Sequence, residues 1–317
     1  MSESNRIFSD WTQRCSGISY ITSSAVTITE TQLANLEKLQ QRVIDSMDNP
    51  KLALTDNMKK DLAELKAKRD APDELPKGAI THLNKVFNKV FWKKERLEID
   101  NKYTDKGKLN QEDVLDIHSK VDGGFYVTNK ERFNNGFIQG EPDNFDLPNS
   151  EIEIVVRDAK ANFDKETFDS AELSENYIKQ LNGYSWLLKD EFKLDYYPKG
   201  ELCYGLTNSP LHTIINETTS MFYKLGNPDS DNDKWKEVKR KIERNHIHDI
   251  AKFKKEYPSY VFENENLDFD IPYWMRVKKF EVITTQADID FIKQRVLMSK
   301  IYLVNKEIET LKQMKLL

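Results

Sequence analysis

Asp143, Asp158 and Lys160 are the residues whose types and spacing could do chemistry. Asp143 closes the turn-like run Gly140–Glu141–Pro142–Asp143, and fifteen residues later Asp158–Ala159–Lys160 ends an apolar stretch with Ile152, Ile154 and Val156 alternating. Alternation at period two signals a strand, so Asp158 and Lys160 share one face, about 6–7 Å apart along it. If the strand of Asp143 pairs antiparallel with that stretch, both carboxylates and the ammonium meet at one point. Gln180 and Tyr184 lie four apart on the next expected helix, hence on one of its faces. Gln111, Glu112 and Asp113 open an earlier expected helix and offer an acidic ligand. Two or three carboxylates without a Cys/His cluster favour a hard cation, Mg2+ or Mn2+, over zinc. A lysine beside such a site suits phosphoryl chemistry: the metal activates a water, and the ammonium orients it or stabilises developing negative charge.

These residues need elements to position them. The 317-residue chain is long enough for one or two domains, and 32% charged residues with only 11 Gly and 10 Pro suggest long solvated helices around a modest core. Apolar spacing predicts helices over 29–46, 56–69, 80–97, 110–120, 172–188, 233–255 (with a break near Asn245) and 287–314. Strand signals fall at 125–128, 137–139, 152–160, 200–207 and 277–284. The run Ala71–Gly78, with Pro72, Pro76 and Gly78, is the best linker. The expected organisation is an N-terminal segment with a helical hairpin (1–78), a catalytic core (79–285) with a basic helical insertion near 233–255, and a C-terminal helix (286–317) packing on the core.

The run Gly140–Asp143, the strand ending in Asp158–Ala159–Lys160 and the helix carrying Gln180–Leu181–Asn182–Gly183–Tyr184 together resemble the PD-(D/E)XK nuclease superfamily. More narrowly they resemble its RecB-like branch with the lambda-type phage exonucleases. Asn101–Gly107, Leu202–Pro210 and Ile271–Val282 are similar to further segments of phage members, so the resemblance spans roughly residues 100–302. It implies a restriction-endonuclease-like α/β core, with a small central mixed sheet flanked by helices and extended by terminal helices. It also implies that Asp143 and Asp158 bind the metal, that Lys160 acts at the attacking water, and that Gln180 and Tyr184 support them. Phage relatives usually carry an acid where this chain has Gln111. Either Gln111 ligates through its amide oxygen or Glu112 takes over, with Glu112 slightly favoured. Ala161–Asn162 is a second departure, at positions where relatives often have small hydroxyl residues.

Function follows as expectation: a Mg2+- or Mn2+-dependent deoxyribonuclease, an exonuclease of phage type serving recombination, replication or DNA processing. DNA is the expected partner, with a single-strand annealing or recombination protein and self-association as further expectations. Two other readings compete. One is a DNA-binding or assembly protein on a weakened nuclease fold, suggested by Gln111; the other is a helical interaction protein. A lone DxK triplet is a chance event in so charged a chain, and GxPD alone is usually only a turn. Their order and spacing, together with QxxxY, carry the weight.

The remaining features sort by chemistry. Cys15 and Cys203 are too few for a cysteine-ligated iron–sulfur cluster or a four-thiolate zinc site. No apolar run is long enough to span a bilayer and the first residues are polar, so the expected location is cytoplasmic, the host cytoplasm for a phage protein. A net charge of −5 argues at first against nucleic acid, but it conceals two basic stretches. Residues 77–108 hold nine Lys/Arg against four acids and include Lys93 and Lys94; residues 234–255 hold nine against three and include Lys239, Arg240 and Lys241. Each contains aromatics (Phe87, Phe91, Trp92 and Tyr103; Trp235 and Phe253) that could stack on or wedge a strand end, the alternative being ordinary solvated faces. Arg14 with Ser23 and Ser24 resembles the segment that holds a terminal 5′-phosphate in lambda-type relatives, against local capping as the simpler role. His246 and His248 are expected on a polar rim, and Cys203 in the core.

Overall fold

In the computed structural model, residues 6–22, 30–70, 74–95, 106–107, 109–147 and 153–316 are described. Close contacts divide the chain into two compact units, one comprising 1–11, 19–95 and 291–317, the other 12–18 and 96–290. The second unit carries the sheets. Its larger sheet runs β4 (Asn144–Phe145), β5 (Val155–Asn162), β6 (Lys199–Leu206), β7 (Val277–Val282). β5 and β6 are parallel, while β4 on β5 and β7 on β6 are antiparallel. The smaller sheet has the order β1 (Gln13–Arg14), β3 (Ile138–Gly140), β2 (Phe133–Asn134). Central strands β5 and β6 are buried along most of their length, which is why polar Arg157, Asp158 and Glu201 lie inside.

Those buried charges are paired. Arg157 makes a two-pronged bond to Asp146 (2.6 and 3.1 Å), reaches Glu201 at 2.9 Å and Asn144 Oδ1 at 3.0 Å, and lies 4.0 Å from the Tyr126 ring centre. A buried guanidinium is tolerated only with its donors satisfied, and here the pairing joins β4, β5 and β6. The strand that immediately follows Asp143 is thereby held in register, with Asn144 opposite Arg157.

The helices of this unit are α5 (Gln111–Asp122), α6 (Lys165–Asp169), α7 (Glu175–Phe192), α8 (Leu211–Lys224), α9 (Asp233–His246) and α10 (Ile250–Glu256). α7 buries Leu181, Tyr184, Trp186, Leu187 and Leu188. The other unit holds α1 (Ile18–Thr22), α2 (Glu30–Asp48), α3 (Asp56–Asp70), α4 (Lys77–Val90) and most of α11 (Gln286–Gln313). α2 and α3 form the expected hairpin, closed over Leu36, Leu39 and Leu65. Within the same unit Phe87 of α4 stacks on Phe8 and Phe91, and Tyr302 of α11 bonds Asn84.

Several expectations are corrected. Residues 125–128 form no strand: Phe125 is 89% exposed, in the loop that follows left-handed Gly123 at the end of α5. The helix expected over 80–97 begins at Lys77, with Pro76 as its N-cap, and ends at Val90. It belongs to the unit formed by the terminal segments, so the boundary expected at residue 78 falls inside a helix. α8 has no counterpart among the expected helices, because exposed Ile215 and Tyr223 blur its apolar period. Among the described residues no helix is long and apolar enough to cross a membrane.

Candidate active site

Asp158 and Lys160 leave the same face of β5, and Asp143, on the residue before β4, is brought to them by the antiparallel pairing. The Asp143 Oδ2 atom accepts a hydrogen bond from the Ala159 amide at 2.6 Å. Lys160 Nζ lies 2.6 Å from Asp158 Oδ2. Gln180 Nε2 donates to Asp158 Oδ1 at 2.9 Å and to Tyr184 Oη at 3.0 Å, so the helical pair acts on one carboxylate. Gln111 hydrogen-bonds Asp143. The residue before it, Asn110, anchors the start of α5 to the end of β6 through Thr207 (3.0 Å) and the Asn208 carbonyl (2.6 Å). Glu112, one position on, is exposed. Of the two alternatives, Gln111 is thus the one that faces the carboxylates, with Asn110 fixed, while Glu112 faces solvent.

Two glycines let these elements approach. A Cβ on Gly140 would lie 2.7 Å from the Tyr184 ring and 2.8 Å from Cys15 Sγ. One on Gly183 would lie 2.5 Å from Ile18 Cδ1 and 3.0 Å from Cys15 Sγ. Real Cβ atoms do not come so close, so a side chain at either position would force the GxPD strand, the QxxxY helix or the residues packed on them to shift. Cys15 is the small buried side chain that both pack on.

The electrostatics follow from burial. Asp158 is 1% exposed. Burial, with the Asp158 carboxylate next in weight, pushes Asp143 up to about 7. Burial alone would lower Lys160, but Asp158 and Asp143 hold it above its ordinary value, so it is an ammonium at neutral pH. Burial raises Tyr184 as well, keeping its hydroxyl neutral.

This donor set fits a divalent cation. Asp158 Oδ2 is buried with the Lys160 ammonium beside it but outside hydrogen-bonding geometry, and the Asp158 carboxylate disfavours charge on Asp143. Among the described residues no group of three His, Cys, Asp or Glu could hold a metal. Two carboxylates and the Gln111 amide oxygen remain, all hard oxygen donors. Mg2+ typically uses one or two carboxylates, its other positions going to water and substrate phosphate.

Neither the known protein families nor the curated proteins contain a match to this sequence. Among solved structures, a phage-related exonuclease from Haemophilus somnus 129PT superposes with a TM-score of 0.55 at 17% identity, over 95% of this chain and 96% of that one. The chain has the fold of a phage-related exonuclease. An alkaline exonuclease (LHK-Exo) from Laribacter hongkongensis is more distant, with a TM-score of 0.43 at 10% identity over 75% of this chain and 86% of that one. Its complex with dAMP gives 0.46 at 9% identity, over 96% and 93%. The architecture expected from the PD-(D/E)XK resemblance is thus the observed one.

Within this exonuclease fold the other expected residues scatter. Arg14 is exposed on β1 opposite Gln139, and with Arg132, Glu141 and Tyr184 it lines a cleft of about 150 Å3 on the β3 side of the carboxylates. Ser23 and Ser24 lie outside the described residues. Lys93 and Lys94 are exposed just after α4, beside half-exposed Trp92; Phe87 is buried, and Tyr103 lies outside the described residues. Lys239 pairs with Glu263, and Arg240 bonds the Glu263 carbonyl at 3.3 Å, while Lys241 is exposed. Trp235 (6% exposed) and Phe253 (0%) are buried, so neither can stack on a strand end. α9 commits its aromatic and part of its charge to packing against its own unit. His246 and His248 are not on a rim either. Both are buried, His246 between Ser209 (2.9 Å) and Glu217 (3.3 Å), because α9 ends at His246 and turns inward.

Arg132, Tyr177 and Asn162 also line the site, beyond the residues that the motifs single out. Tyr177 sits three residues before Gln180 on the same helix face, and Asn162 two after Lys160 on the same strand face. Both periods are available in the sequence to find them.

Proposed function

We propose that the chain is a divalent-metal-dependent deoxyribonuclease that trims DNA from its ends, as phage recombination exonucleases do. The observation that carries this reading is the convergence of Asp143, Asp158, Lys160, Gln111 and Gln180 on one face of β5. Asp143, Asp158 and the Gln111 amide oxygen would hold Mg2+ or Mn2+, which when bound neutralises phosphate charge and lowers the pKa of its water. The chain's own groups do the rest. Lys160, charged at neutral pH, donates to the phosphate oxygen on which negative charge grows and cannot serve as the base in that state. Gln180 fixes the Asp158 carboxylate through Oδ1 and leaves Oδ2 directed at Lys160. Tyr184, held neutral, accepts from Gln180 and fixes its rotamer.

The cleft of Arg14 and Arg132 supports action at ends. Two guanidiniums at one cleft, that of Arg132 3.5 Å from Glu141, suit a terminal phosphate, which their fork geometry recognises. The exposed Lys93, Lys94 and Lys241 supply sequence-independent backbone attraction.

The test is incubation of linear and circular DNA with Mg2+, alongside Lys160→Ala. Degradation of linear DNA only, lost with EDTA and reduced roughly a hundredfold or more in the variant, is expected. An inactive wild type would leave the weakened-nuclease reading, which Gln111 favours by standing where relatives carry an acid.

A further inference from the structure

β5 does not end at Lys160. Period-two geometry places Asn162 on the face that carries Asp158 and Lys160, about 6–7 Å beyond the lysine. There a cleft of about 540 Å3 opens, lined by Gln111, Lys160, Asn162, Phe163, Tyr177 and Tyr204 among others. That volume lies within the roughly 300–1,000 Å3 of small-molecule sites. Tyr177 and Tyr204 meet edge to face at 6.2 Å, and the Tyr177 ring centre is 5.4 Å from Lys160 Nζ. Tyr204 stands opposite Lys160 in the β5–β6 register, and its hydroxyl is taken by the Glu172 carbonyl at 3.1 Å. Both tyrosines therefore present ring surface at the cleft.

Asn162 is the polar group without an account. Its residue is 9% exposed, and its Nδ2 donates to the Thr167 carbonyl at 3.2 Å. That bond fixes the amide orientation and leaves Oδ1, buried and without a hydrogen-bond partner. A buried acceptor left unmade costs free energy, which a ligand donor would recover. Aromatic walls with one fixed acceptor match a nucleobase bearing an amino group: the rings contact its faces and the carbonyl oxygen receives its N–H.

We infer that this cleft is a nucleobase pocket, in which Asn162 Oδ1 accepts from the exocyclic amino group of the base next to the scissile phosphate. The inference rests on the nuclease reading for the identity of its ligand and adds a base preference: adenine, cytosine and guanine over thymine.

Equilibrium binding separates the two, because it needs no turnover. Deoxynucleoside 5′-monophosphates carrying adenine, purine (adenine without its amino group), cytosine and thymine are titrated into the full chain with Mg2+ by calorimetry. One neutral hydrogen bond predicts that the adenine nucleotide binds roughly three- to tenfold tighter than the purine one. Asn162→Leu should bring that ratio to one. The adenine/purine comparison on the wild type alone stands even if the variant folds poorly. Equal affinities, or no binding of any of the four, would overturn the pocket, while loss of DNA degradation alone would overturn only the nuclease reading.

Discussion

Gln111 and Asp143 share a hydrogen bond in the candidate metal site, at a position where the lambda-type resemblance implies a second acid. An amide there lowers the proton affinity of Asp143 by donating to it, but brings no charge to a cation. Gln111→Glu should restore the third carboxylate and reduce the Mg2+ concentration for half-maximal DNA degradation by roughly tenfold, since one added carboxylate interaction is worth on the order of 1–2 kcal/mol near a protein surface. Gln111→Ala should raise it. A metal titration of initial rates decides this, and equal half-maximal concentrations in all three would remove Gln111 from the site.

Gly183 and Ile18 form a second pair. With a Cβ meeting Ile18 Cδ1 at 2.5 Å, Gly183→Ala should overpack the seam that sets α7 and cost about 1–3 kcal/mol. It should also lower the rate of DNA degradation, because Gln180 rides on that helix. Ile18→Val removes the offending Cδ1 and should return part of the lost stability in the double variant. Urea melts of the four proteins give the coupling; strict additivity would show that the seam is not what the glycine serves.

Much of this site is legible in the sequence, for reasons that are local. Asp158, Lys160, Gln180 and Tyr184 can be paired because strand and helix periods are fixed by backbone geometry. The antiparallel approach of Asp143 needs only one assumption about pairing. What cannot be read there is set by tertiary contacts. The choice between Gln111 and Glu112 depends on Asn110 anchoring α5 to Thr207 and Asn208, nearly a hundred residues away. Trp235 and Phe253 carry the same composition whether they face DNA or a core, and only packing shows them buried. The two-stranded pairing that brings Arg14 to Gln139 is too short to leave a period.

Lys106 makes a pH prediction away from the carboxylates. It is fully buried, its ammonium donates to the Phe163 carbonyl at 2.8 Å, and burial pushes it down to about 7, with Asp164 opposing. Buried His248, which Lys106 faces, is held well below its ordinary range by burial first and by Lys106 next, so it is neutral. A folded pKa below the unfolded one means that the unfolded chain binds the proton more readily between pH 7 and 10.5. The penalty is fully present below about pH 7 and fades as pH rises. Lys106→Met should therefore gain stability over the wild type at about pH 7, on the order of a few kcal/mol before the lost hydrogen bond is subtracted, and the difference should shrink toward about pH 10. A difference that stays constant across this range would show that Lys106 titrates alike in both states.

Lys241 and Lys239 separate the DNA-binding role proposed for α9 from its packing role. Lys241 is exposed, as is Lys234 at the start of the helix, whereas Lys239 is committed to Glu263 and lies near the buried Trp235 ring. Replacing Lys234 and Lys241 by Glu should weaken binding of the chain to duplex DNA. The slope of log affinity against log salt should fall by about one for every phosphate that the two lysines neutralise, with the melting temperature little changed. Lys239→Glu, in contrast, sets two carboxylates against each other and should lower the melting temperature as well. Filter binding at several salt concentrations, with melting curves alongside, distinguishes them. An unchanged salt slope in the Lys234/Lys241 variant would mean that α9 is a solvated face and that backbone attraction must come from elsewhere, with Lys93 and Lys94 the next to replace.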